Sequence, residues 1–394
     1  MENKTGTHRI KSIDILRAIT VALMVFVNDL PGIRDIPQWL GHASAGHDGM
    51  FLADIVFPLF LFWVGMSIPL AVDGRQKKGD SDLTIVRHIL KRTFSLVFIG
   101  VLMVNTSRMS VEVTGIDRNL WALCMYAGVI LSWRVYGREK TKAGKKLGVI
   151  FHYVGIGLLV FVLFVFRDKD GAWLLPQWWG ILGIIGWAYL VAAIAYVFLE
   201  KHLVKLLIVF AGLLLYHITY TQSAYLQEYT GWLALESYGA HASLSFAGML
   251  ASLVMKKIRL QTFRLYSVWG IAGLIFLIAG FVLRPLWGIS KLAATPSFVY
   301  LSLAVGLGLL MLVWYPTEIK KKHGWANVFY PAGTQTFLAY LLPSVYYHAI
   351  FYAGISLPGW MTYSWVGILK SIVFTFLIIQ LTGILARFGV KLKL

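Results

Sequence analysis

The feature that most constrains this chain is the recurrence of apolar runs near 20 residues long, each set off by a short polar segment. A helix rises about 1.5 Å per residue, so about 20 apolar residues cross the roughly 30 Å of hydrocarbon in a bilayer. Twelve such runs are read, at 13–30, 51–72, 89–106, 118–133, 147–166, 178–199, 204–220, 240–255, 265–283, 295–315, 329–352 and 361–386. The runs at 118–133 and 240–255 are the shortest. Charged residues make up only 14% of the chain and hydrophobic ones 58%, where a soluble domain carries about a quarter charged. The expected fold is therefore all-α: a polytopic integral membrane helix bundle of about twelve transmembrane helices. The longest loop has about 20 residues, so residues 1–394 are read as one membrane domain, with any chemistry inside or at the edge of the bundle.

Basic residues orient the spans. With the N-terminus in the cytoplasm, the outside loops hold seven of the 36 Lys and Arg: Arg34, Arg108, Arg118, Arg167, Lys169, Arg284 and Lys291. Lys370 lies within the last span, and the remaining 28 fall inside. That bias alternates loop by loop, as the positive-inside rule requires, and a dropped span would invert it midway. Both termini are accordingly expected in the cytoplasm. The net charge of +18 has the same origin, inside loops against anionic lipid. With no basic domain protruding from the membrane, nucleic acid has no place as a partner. The polar first ten residues lead into a span-length run with no cleavage site behind it, so no cleavable leader is expected. The single cysteine, Cys124, falls inside a span and reads as a small core residue.

Ionisable groups at or inside the bilayer edge are costly and mark function. They concentrate in residues 28–58, which leave the first span at Asn28-Asp29, pass through Gly41-His42-Ala43-Ser44, and re-enter at Ala53-Asp54. At the cytoplasmic edge, Asp14 and Arg17 share a helix face three residues apart. They read either as a snorkelling anchor with its counter-ion or as an arginine, held by Asp14, that meets a phosphate-bearing ligand. Arg87, Lys91 and Arg92 enter the third span at helical spacing. Most are inside charge, and Arg92, the deepest, is taken as a further phosphate contact. On the outer side Asn105, with Thr106 and Ser107, either caps a helix or meets sugar hydroxyls. The loop 221–239 carries Glu228 and Glu236 without Lys or Arg, and His241 follows it. Trp178, Trp179, Trp232, Trp287 and Trp360 form an interfacial belt or a sugar platform. His152, His217 and His348 read as hydrogen-bonded core histidines.

The order Ser12-x-Asp14-x-x-Arg17, Met24-Val-Phe-Val-Asn28, His42-Ala-Ser44 and Ala53-Asp-Ile-Val-Phe-Pro-Leu-Phe-Leu-Phe-x-x-Gly65-x-Ser67-Ile68 resembles the heparan-α-glucosaminide N-acetyltransferase family and its bacterial relatives. Gly288-Ile-Ser-Lys291 running to Pro296, and Tyr330-Pro-Ala-Gly-Thr334, extend the likeness. It is dense in residues 9–70 and thin elsewhere. The family's usual glycine after the arginine is Ala18 here, and the loop holds a second histidine, His47.

The resemblance implies a transmembrane acyltransferase of a bacterial inner membrane. It would move an acetyl group from cytosolic acetyl-CoA to the amine of a glucosamine-type sugar outside. Lipid, acetyl-CoA and the amino-sugar are its partners, and a homodimer is the assembly to test. By the same resemblance His42 and Asn28 are the key histidine and asparagine. The chemistry asks for these groups independently. An imidazole suits base catalysis near neutral pH, or carries the acetyl group itself. The Asn28 amide suits a developing oxyanion. Asp54 or Asp29 orients the histidine through its other nitrogen; Asp54 is assigned that role, with Asp29, Asn105 and His241 as substrate contacts and Asp14, Arg17 and Arg92 at the cofactor. The His42–His47 spacing matches no usual metal site, so no metal is expected. The reading from another class is an amino-sugar transporter, and a third is O-acetylation of another glycan.

Overall fold

The computed structural model describes residues 10–136, 142–176, 178–199, 201–230, 239–258 and 262–394. Trp232 and Glu236, named above, lie outside the described residues. Among the described residues the chain is helical, with no strand beyond two isolated bridges, Arg34 with Tyr363 and Arg134 with Leu392. Twelve helices of at least 16 residues make the bundle. They are α1 (Lys11–Asp29), α2 (Leu52–Gln76), α3 (Asp82–Asn105), α4 (Arg118–Trp133), α5 (Lys142–Val165), α6 (Gly180–Phe198), α7 (Leu203–Gln222), α8 (Ala240–Lys257), α9 (Thr262–Trp287), α10 (Pro296–Trp314), α11 (Thr336–Tyr352) and α12 (Ser364–Arg387).

Each falls on one of the apolar runs. Eight are long and apolar enough to cross a membrane: α2, α3, α5, α6, α7, α9, α10 and α12. The other four differ for separate reasons. Helix α1 carries Lys11, Asp14, Arg17 and Asp29, α4 and α11 have only 16 and 17 residues, and α8, with 18, is too polar, carrying His241, Ser243, Ser245, Ser252, Lys256 and Lys257. The run expected as one span at 329–352 is broken at Gln335 into a short helix, Tyr330–Thr334, and α11. The break lets Gly333 lie against α1, where an added methyl would stand 2.8 Å from the Asp14 carbonyl oxygen and 2.9 Å from the Ala18 methyl.

Helix α2 is the axis. In its most apolar stretch 78% of residues are buried, against 17% in α9 and 22% in α5 and α7, which turn most of their surface outward. Lipid offers no hydrophobic drive for one helix to meet another, so close packing must come from small residues. At the α2–α8 crossing both helices supply glycine. A methyl on Gly65 would stand 1.8 Å from the Ser245 carbonyl oxygen, and one on Gly248 would stand 1.9 Å from that of Phe62. The Ser245 hydroxyl donates to the Leu61 carbonyl at 3.1 Å. Between α1 and α2, the buried Trp63 indole donates to the Thr20 hydroxyl at 2.9 Å. This core holds the entry of α2, and Asp54 in its first turn, against the loops at that end of the bundle.

Candidate active site

The segment from α1 to α2 is tied down at three points. Leu30, Ile33 and Leu40 bury themselves with Ile368. Arg34 exchanges backbone hydrogen bonds with the chain entering α12: its N–H donates to the Thr362 carbonyl at 2.9 Å, and its carbonyl accepts from Ser364 at 2.8 Å. Asp48 grips the loop before α10, accepting from the Ile289 N–H at 2.7 Å and from Arg284 Nε at 2.9 Å. These two contacts hold the exposed Asp48 carboxyl below its ordinary value of 3.8. The Gly49 N–H closes the junction on the Ile289 carbonyl at 3.0 Å.

Inside that frame His42 meets Asp54. His42 Nδ1 lies 2.8 Å from Asp54 Oδ1. The other carboxylate oxygen accepts from the Ala43 N–H at 2.9 Å and the Phe51 N–H at 3.1 Å. Asp54 sits in the first turn of α2, where the helix dipole favours an anion. Its side chain is only 2% exposed, while that of His42 is 48% exposed. A buried carboxylate at Nδ1 selects the tautomer with the proton on that nitrogen, leaving Nε2 as the basic atom. His47 instead packs its ring on Phe51, with centroids 4.9 Å apart.

Lys291 completes the group. Its ammonium lies 3.2 Å from His42 Nδ1 and 3.8 Å from Asp54 Oδ1. With the Nδ1 proton directed at Asp54, the lysine's attraction is to the carboxylate. Burial lowers the Lys291 pKa below its ordinary 10.5, and the charge of Asp54 raises it in part. Beneath the lysine, His217 lies 2.8 Å from the Ala294 carbonyl through Nε2. His241 stands edge-on to the Phe57 ring, with centroids 5.4 Å apart.

Asn28 and Asp29 join a different group. Asp29 Oδ2 accepts from Lys370 Nζ at 2.6 Å and from the Ser371 hydroxyl at 2.6 Å, while buried Oδ1 has no hydrogen-bond partner among the described residues. Both residues line a cavity of about 120 Å³ with Tyr340, Ser344, Tyr347 and Phe374. A second cavity, about 80 Å³, contains Arg92 and the C-terminal Leu394, and the two share Val21, Met24 and Tyr340. Arg92 lies over the Tyr189 ring at 4.6 Å. Arg17 donates to Asp14 at 2.7 Å and to the Gly333 carbonyl at 3.0 Å. Asn105 is fully buried and committed within the fold. Its amide donates to the Val101 and Leu175 carbonyls at 2.8 and 2.9 Å, and its oxygen accepts from Arg108 at 3.1 Å.

The structure thus joins His42 to Asp54, adds Lys291, and leaves Asn28, Asp29 and Asn105 in other groups. Lys291, Lys370 and Ser371 went unassigned in the sequence. Two of them carried a signal. Lys291 is one of few basic residues on an outside loop, and Lys370 is a charge within an apolar run, which marks function by default.

A protein-family model described as "Domain of unknown function (DUF5009)" matches residues 9–223, which include His42 and Asp54 but not Lys291. Heparan-alpha-glucosaminide N-acetyltransferase of Mus musculus is 35% identical over 102 residues, 26% of this chain and 15% of the relative. The protein of that name from Homo sapiens is 30% identical over 194 residues, 45% of this chain and 25% of the relative. The matches therefore span a quarter or less of these curated relatives.

Proposed function

The chain belongs to the DUF5009 family, and from that premise we propose that it is a single-domain membrane N-acetyltransferase whose reacting base is His42. Its donor is acetyl-CoA and its acceptor is the amine of a glucosamine-type sugar. One observation carries the reading: a half-exposed imidazole is held through Nδ1 by a buried carboxylate, with Nε2 left for chemistry and an ammonium beside the pair.

The reaction needs a neutral amine and somewhere for its proton to go. Nε2 of His42 takes that proton as the amine attacks the thioester carbonyl. The carbonyl oxygen gathers charge that an N–H donor offsets; Asn28, which lines the cavity with Asp29, is not joined to His42 in this structure. When the carbon–sulfur bond breaks, the imidazolium returns the proton to the departing CoA thiolate. In the two-step alternative Nε2 attacks first and expels the CoA thiolate, and the acetyl group then passes to the amine, whose proton the freed imidazole takes. Both routes use the same nitrogen, and in both Asp54 supports the charged ring. Asp29 and His241 contact the acceptor. Asn105 is left out, because each polar atom of its side chain already has a protein partner.

The donor enters at the other end of the bundle. Arg17, set by Asp14, and Arg92 meet the CoA phosphates. The two cavities that share Val21, Met24 and Tyr340 support a path for the thioester arm toward the outer end. In this reading twelve helices cross a bacterial inner membrane, both termini are cytoplasmic, and His42 faces the periplasm.

The test uses the full chain in detergent with isotope-labelled acetyl-CoA and glucosamine, following CoA release and acetylated sugar together. Wild type should acetylate the amine, and His42→Ala should lose at least about 100-fold in turnover while still binding CoA. Saturable sugar binding that the substitution leaves intact, with no acetylation of any amino-sugar, overturns the enzyme reading in favour of a transporter.

A further inference from the structure

A second cluster of charge, unused by the acetyl-transfer reading, lies at the far end of α2 from Asp54. Asp73 is 19 residues further along that helix, about 28 Å at 1.5 Å per residue. Its Oδ1 accepts from Lys201 Nζ at 3.0 Å and from the Tyr196 hydroxyl at 3.1 Å, and Lys256 closes on Oδ2. Lys201 comes from the turn between α6 and α7, and Lys256 from the last turn of α8. Lys201, His202, Lys256 and Lys257 line an open cavity of about 450 Å³, with Leu203, Val204 and Leu253 as its apolar wall. Small-molecule sites span about 300–1,000 Å³.

Two ammonium groups, those of Lys201 and Lys256, converge there on one carboxylate, and Lys257 lines the same cavity, so among the described residues the lysines exceed Asp73 by two charges before His202 is counted. Asp73 therefore fixes two of the lysines without neutralising the group. Lys201 also holds a left-handed backbone, with φ of 61°, a strained state for a residue with a side chain, kept only where its surroundings impose it. Val204, in the wall, is 58% exposed on a helix that is mostly turned outward. The cavity thus presents cations beside an apolar surface at one end of the bundle, the setting in which basic pockets between membrane helices take phosphate head groups.

We propose that this cavity is an anion site for a phosphate group, carried either by a membrane lipid or by a free phosphate ligand. The proposal stands apart from the acetyl-transfer reading. It is tested on the full-length protein in neutral detergent. Native mass spectrometry reads retention of phosphatidylglycerol against phosphatidylcholine, and equilibrium dialysis reads binding of inorganic pyrophosphate. The first variant is Lys201→Gly with Lys257→Gln, since glycine keeps the positive φ while the ammonium is lost. The second, His202→Gln with Lys257→Gln, leaves both partners of Asp73 in place and is used if the first fails to fold. Wild type should retain phosphatidylglycerol about tenfold better than phosphatidylcholine, with that preference lost in the variant, if a lipid supplies the phosphate. Pyrophosphate binding that the variant loses assigns the site to a soluble ligand. Absence of both signals in wild type, or either signal unchanged in a folded variant, overturns the proposal.

Discussion

Asp54 spends one oxygen on His42 and the other on two backbone N–H groups. An asparagine there keeps the volume but offers one acceptor oxygen, so either the imidazole tautomer or the loop amides go unserved. Asp54→Asn should lower kcat at least about 100-fold with little change in KM, as expected when the support acts on the charged ring of the transition state. Steady-state kinetics on the purified variant checks this; a raised KM with kcat unchanged would assign Asp54 to substrate binding instead. His42 and Asp54 were legible in the sequence because both lie in one re-entering segment, 12 residues apart. Their neighbour Lys291 was not, since it is 249 positions from His42 and arrives on a different loop. Nor was the partner of Asp29, which is 341 positions away.

At the scale of the helix, the apolar runs predicted where helices form but not which of them matter to the interior. The run at 240–255 is among the shortest, yet α8 buries 14 of its 18 residues. A helix surrounded by protein need not match the hydrocarbon, so Ser, Gly, Ala and His serve it, and a hydropathy reading underrates it. The strongly apolar α9 owes its composition to lipid contact instead. Gly65, read from a motif, has its reason in α8. Gly65→Ala would press a methyl into the Ser245 carbonyl, and because both sides of that contact are backbone, the helices must separate. A loss of at least about 3 kcal/mol in stability is expected, at the upper end for overpacking. It should appear as a lowered thermal midpoint in detergent together with reduced acetylation. An unchanged midpoint would mean the crossing is looser than these distances imply.

For the whole molecule, the loops at the His42 end of the bundle act as one assembly because Asp48 joins the segment bearing His42 to the loop bearing Lys291. The folded Asp48 carboxyl titrates below 3.8, so between its folded and unfolded values the unfolded chain binds more protons. The stability that Asp48 contributes is therefore full above the ordinary value and lost as pH falls through the folded one. The thermal midpoint of wild type should exceed that of Asp48→Asn by a constant margin above about pH 5, and the margin should close below the ordinary carboxyl range. A margin that persists in acid would show that the junction is held by the Gly49–Ile289 backbone bond rather than by the charge.

The sequence alone determined that this chain is a helical membrane bundle and where its helices run, and it singled out residues 28–58 as the candidate site. Those properties follow from local cost: each apolar run and each misplaced charge carries its own free energy of transfer, whatever its neighbours. Only the tertiary structure decided that Asp54 serves His42 while Asp29 turns to Lys370 and Ser371, that Lys291 stands beside the first pair, and that Asn105 is consumed by the fold. Pairing is a matter of distances of about 3 Å between groups up to hundreds of residues apart. It is set by how closely helices approach at contacts such as Gly65 with Ser245, and no single stretch of sequence carries that information.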